Sequence, residues 1–71
     1  MNKQQWIKKL TELKNDGSHF CELNWNDKEW DRWCKGNLTR DQNAMVAACQ
    51  ELGVVPMPGD MTPTTITFSG L

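Results

Sequence analysis

One histidine and three cysteines are the residues of this chain whose chemistry suits metal binding or nucleophilic attack. His19 stands two residues from Cys21, while Cys34 and Cys49 are isolated. Neutral imidazole and thiolates are good zinc ligands. Here, however, His19 and Cys21 share a side only on an extended strand, and no C-x-x-C knuckle supplies further ligands. The spacing predicts no metal site, and the cysteines read mainly as small core residues carrying free thiols. An odd number of them argues against a disulfide framework as well. Catalysis finds no better footing. His19 is the only side chain that is a base at neutral pH, and Ser18 is next to it in sequence without any reason to meet it in space. There is no Gly-rich phosphate loop, no H-E-x-x-H and no G-x-S-x-G. The expectation is a protein without catalytic residues or cofactor.

The tryptophans are more informative. Trp6, Trp25, Trp30 and Trp33 occur in a chain with no tyrosine and two phenylalanines. A buried indole removes on the order of 200 Å² from water and its N–H then needs a partner, so a core this thin is not expected to enclose all four. Tryptophan and arginine are also enriched among the residues that dominate protein interfaces. The sequence therefore nominates Trp25, Trp30 and Arg32 as anchors for a partner, with Asp27, Glu29 and Asp31 as a polar rim.

Charge narrows the partner. The chain has a formal net charge of −1 and a pI of about 5.7, without the surplus of Lys and Arg that phosphate neutralisation requires. All the basic residues lie between Lys3 and Arg40, and the remainder of the chain is acidic. The basic residues of the first helix (Lys3, Lys8, Lys9 and Lys14) make a nucleic-acid-associated regulator the alternative reading, although such a stripe is usually a solubilising face. A helix-turn-helix reading of the second and third helices fails on composition. After Arg40 the third helix offers Asp41, Gln42 and Asn43 and no base to hold phosphate. No apolar run is long enough for a membrane span, and the amino terminus lacks the apolar stretch of a signal peptide. A cytoplasmic protein is expected.

These residues must be positioned by a chain of 71 residues, enough for one domain with a small core. Trp6, Ile7, Leu10 and Leu13 recur at helical spacing over Lys3 to Asn15, and Gly17 fits the left-handed residue that closes a helix. Ser18 to Trp25 alternates as a strand would yet is short enough to be a turn with one helical wind, and of the two it is read as extended. Asn26 with Glu29 three residues on marks the start of a helix over Asp27 to Lys35, closed by Gly36, with Trp30, Trp33 and Cys34 as its apolar stripe. Thr39 with Gln42 marks a third helix reaching Leu52 and ending at Gly53, the expected central element. Val54 to Asp60 reads as a stiff apolar loop, because Pro56 and Pro58 have no amide to donate. Thr62 to Leu71 is rich in β-branched residues and either pairs with Ser18 to Trp25 or stays a tail.

The fold class that follows is mainly α: three short helices and a C-terminal extended segment able to form a minor two-stranded sheet. Residues 1–59 make the helical domain and residues 60–71 the extended segment. The function expected is a non-enzymatic protein-binding module, an inhibitor, adaptor or assembly factor that covers a surface of a larger protein. Compact chains of this kind are often accessory factors of phages or mobile elements. A third reading is a homodimeric structural protein, closed by an edge or patch of Val54, Val55, Met57, Ile66 and Phe68.

Overall fold

Helix starts are costly because the first N–H groups have no acceptor within the helix, and this chain answers the problem three times in the same way. Asn2, Asn26 and Thr39 each accept from the amide three residues on, and the side chain at that position (Gln5, Glu29 or Gln42) accepts from the cap's own amide. The helices that follow are α1 (Lys3–Asn15), α2 (Asp27–Lys35) and α3 (Arg40–Leu52), with β1 (Phe20–Glu22) between the first two and β2 (Val55–Pro58) and β3 (Thr65–Ser69) after the third. The computed structural model describes residues 1–58 and 64–71. All three helices keep the limits read from the sequence, and α2 ends on Gly36 at φ 75°, a left-handed conformation that a side chain would strain.

The sheet has three strands rather than two, in the order β1-β3-β2, and both pairings are antiparallel. The C-terminal segment does pair with the region after α1, Cys21 lying opposite Ile66. The correction concerns β2, which stands where a stiff loop was expected. Prolines exclude a central strand but are compatible with an edge. In the β1–β3 ladder, the amide of Phe68 bonds the His19 carbonyl and that of Leu23 the Thr64 carbonyl. Residues 66 and 68 of β3 therefore direct their backbone groups toward β1, and residues 65, 67 and 69 direct theirs toward β2. Pro56 and Pro58 face Phe68 and Ile66 in register, so the positions of their missing amides point away from the sheet and cost no ladder bond. The rest of the expected loop, the boundary placed between residues 59 and 60, and the beginning of the last stretch at Thr62 lie outside the described residues.

One face of this sheet packs on α1 and α3. The core comprises Trp6, Leu10, Leu23, Met45, Ala48, Cys49, Val54, Ile66 and Phe68, so the C-terminal strand and the helices share a single core. Ala48, with no accessible surface, is a small close contact on α3, whereas Leu52 at the end of the helix is exposed. Of the residues assigned to a dimer patch, Val54, Ile66 and Phe68 are consumed by this core, and only Val55 and Met57 face outward.

Among the described residues, the one fully buried polar side chain is Gln42. Its Oε1 accepts from the Thr39 amide at 2.8 Å to complete the α3 cap, and its Nε2 donates to the Glu29 carbonyl of α2, also at 2.8 Å. Replacing it should remove both bonds and leave a cap amide without its acceptor. We expect Gln42→Ala to cost about 2 kcal/mol, seen as a lower midpoint in thermal denaturation. An unchanged midpoint would mean that neither bond is structural.

Candidate functional site

α2 is unusual in having no fully buried residue. It is held by three devices. Gln42 grips its first turn through the Glu29 carbonyl. Arg32 reaches past its end, Nε donating to the Asn37 carbonyl at 2.8 Å and Nη2 to the Leu38 carbonyl at 3.1 Å. The third is its own apolar stripe, where Trp30 and Trp33 meet Trp25 from the preceding loop. The Trp25 ring lies 4.6 Å from Trp30 at an interplanar angle of 60°, and 5.3 Å from Trp33 at 43°. Tilted and offset rings suit the indole quadrupole, and such pairs add about 0.5–1.5 kcal/mol beyond the area they bury.

The three indoles pack against the core and each stays partly exposed. Trp6 alone is enclosed, and its N–H has found an acceptor in Asp41 Oδ1 at 3.1 Å. The same carboxylate oxygen takes the chain's terminal ammonium at 2.6 Å. Trp6 and Trp25 border a shallow groove of about 370 Å³ that also touches Leu23, Glu22, Glu29 and Asp41. Within the cluster one group is unpaired: Trp30 Nε1 is buried and has no hydrogen-bond partner. A sealed donor without an acceptor costs about 1–3 kcal/mol.

Of the six residues nominated from the sequence, Trp25 and Trp30 are in direct contact. Asp27, in the first turn of α2, is exposed and acidic where the helix dipole favours it. Asp31 pairs with Lys35 at 2.9 Å, both exposed, a pair worth little on its own. Glu29 and Arg32 stand three residues apart, a spacing at which helical side chains can meet. Instead Glu29 caps its own helix, and the Arg32 fork is occupied by the two loop carbonyls. Trp33 belongs to the cluster although the sequence placed it only on the apolar stripe of α2. Its position three residues after Trp30, on the same helical face, was the available signal.

The chemistry-bearing residues do not converge on one another. Among the described residues no three His, Cys, Asp or Glu side chains gather where a metal ion could sit. His19 is exposed, and no hydrogen bond engages its ring among the described residues. Lys3 is paired with Glu51 at 3.2 Å, which removes one member of the basic stripe on α1. The cysteines divide by environment, which corrects their reading as core residues: Cys49 is buried, Cys21 intermediate and Cys34 exposed. Cys34 follows Trp33 by one position, and that step turns it off the buried stripe. Burial pushes the Cys49 thiol up to about 11, with a smaller contribution from Cys21, while burial raises Cys21 against the opposing pull of Lys9. No helix among the described residues is long and apolar enough to cross a membrane.

Alkylation at mildly alkaline pH should therefore modify Cys34 first and leave Cys49 intact in the folded chain, as peptide mass mapping would show. Rapid labelling of Cys49 would contradict its place in the core. For the cluster, Trp30→Phe should hold or raise stability, since it deletes an unpaired donor and keeps most of the packing. Trp30→Ala should lower it by about 3 kcal/mol or more. Chemical denaturation distinguishes the two, and equal losses would mean that the indole N–H is satisfied after all. Comparison with known proteins gives no guide to this surface, because no family model, no curated protein and no solved structure matches the chain.

Proposed function

We propose that this chain is a non-catalytic protein-binding module, an inhibitor, adaptor or assembly factor that acts by covering a surface of a larger protein. Trp25 is its anchor. The observation that carries the proposal is the gathering of three partly exposed indoles on one side of a domain whose core has already enclosed a fourth. Interfaces draw most of their energy from a few rigid aromatic groups set among near-neutral contacts that exclude water. Trp25 fits that role better than Trp30. It lies in a loop rather than on the helix and borders the groove, and Trp30 and Trp33 form the platform on which it rests.

The rim narrows correspondingly. Asp27 and Asp31 are exposed on α2, whereas Glu29 and Arg32 serve chiefly to shape the surface by fixing the helix start and the loop after its end. Their substitution would alter binding through geometry rather than through lost contacts.

The test compares tagged wild type with Trp25→Ala in capture from a lysate of cells that carry the protein, followed by affinity measurement on the captured species. The variant should retain its circular dichroism and lose about 2 kcal/mol or more of binding, roughly thirtyfold in affinity. Equal affinity in a folded variant would remove Trp25 from the interface and the proposal with it.

A further inference from the structure

The two edges of the sheet are chemically different. β2 presents Pro56 and Pro58 at the positions whose amides would point outward, so that edge has no N–H donor at either place. A strand approaching it meets acceptors and ring carbons, a recognised means of blocking edge-to-edge growth. Among the described residues, β1 has no such protection. His19 and Leu23 turn their backbone groups toward β3, and the Cys21–Ile66 pair has the same parity. The N–H and C=O groups of Phe20 and Glu22 therefore point away from the sheet. Both residues are exposed. The sheet has one closed edge and one open edge.

An open edge accepts an extended strand. We propose that its occupant is β1 of a second copy, paired antiparallel about a two-fold axis through Cys21. In that register Phe20 lies opposite Glu22 of the second copy and Cys21 opposite its own counterpart. Each Phe20–Glu22 pair exchanges both N–H···O=C bonds, as outward-facing residues of an antiparallel pair must.

Charge supports a self-pair. The carboxylate of Glu22 meets a phenyl ring and not another carboxylate, and His19 falls opposite an apolar Leu23. No like charges are opposed, so the segment is its own complement. The side-chain faces agree too. Phe20, Thr67 and Met57 form one row across the three strands, with Phe20 at 46% and Met57 at 44% exposure. Pairing through β1 extends that row across the axis with Glu22 and Thr65 of the second copy, and brings the two Phe20 rings together diagonally on the same face. The outer edges of the resulting six-stranded sheet are both β2, closed by proline, and association stops at two. The strand is short and the contact small, well below the roughly 1,200 Å² of stable complexes, so the dimer forms and dissolves with concentration.

Amide exchange followed by NMR at dilute and concentrated protein tests this directly. The Phe20 and Glu22 amides should exchange about tenfold more slowly in the concentrated sample, while Cys21 and Leu23, already bonded within the sheet, should not change. The mass from light scattering should rise from that of one chain toward twice that value over the same range. Glu22→Pro puts at this edge what Pro56 supplies at the other, and should leave a folded chain that stays monomeric. If that variant does not fold, the exchange of the two amides in the wild type decides alone. A monomer at every concentration with both amides exchanging freely overturns the proposal, leaving the edge open for a strand of another protein. So does a dimer that survives Glu22→Pro, which would place the contact elsewhere, for instance on the Phe20, Val55 and Met57 face.

Discussion

A single buried carboxamide fixes the relation between the two parts of this molecule. α1, α3 and the sheet form a closed core, whereas α2 contributes no fully buried residue and must be attached from outside. Gln42 makes the buried one of its three attachments. It is buried in α3, completes that helix's own cap, and donates one N–H to the backbone of α2. A buried amide with neither partner would be a liability, and with both it specifies one arrangement of two helices. The angle at which Trp30 and Trp33 meet Trp25 follows from that arrangement, and so does the shape of the surface offered to a partner.

Much of this is legible in the sequence because helix ends are local. Asn26 with Glu29, and Thr39 with Gln42, announce their helices through bonds made within four residues, and the glycines that close them need no tertiary context. The surplus of indoles is legible from counting, since volume alone limits what a small core can enclose. What sequence reading misses depends on neighbours that local rules do not see. The second bond of Gln42 crosses from one helix to another. The two donors of Arg32 go to loop carbonyls and not to the carboxylate one turn away, while Glu29 turns back to the helix start. Pro56 and Pro58 look like strand breakers until the β3 ladder shows that their nitrogens face outward.

The sheet shows the same division between what is closed and what is left available. Its inner face is completed by the helices. Its outer face carries Phe20, Val55 and Met57 around Thr67, whose hydroxyl is buried without a hydrogen-bond partner. Single exposed apolar residues are ordinary on any protein. Three on one small face, beside an unpaired hydroxyl, mark the part of the fold that is least finished by the chain itself. The tryptophan cluster, with its own unpaired donor, is the other such place.

α2, which buries none of its residues fully, is the element whose opening would expose the least core. Loss of Phe68 or Ile66 packing would raise the free energy of every element together, while loss of the Gln42 bond would fall first on α2. Local openings of this kind lie at the low end of a protein's range of unfolding free energies. The tryptophan surface would then be held ready by a gap smaller than global stability, and a partner that binds it would tighten a part of the molecule that folding alone leaves loose. Its affinity would include that ordering cost, and substitutions along the α2–α3 seam would tune recognition without touching either the indoles or the core.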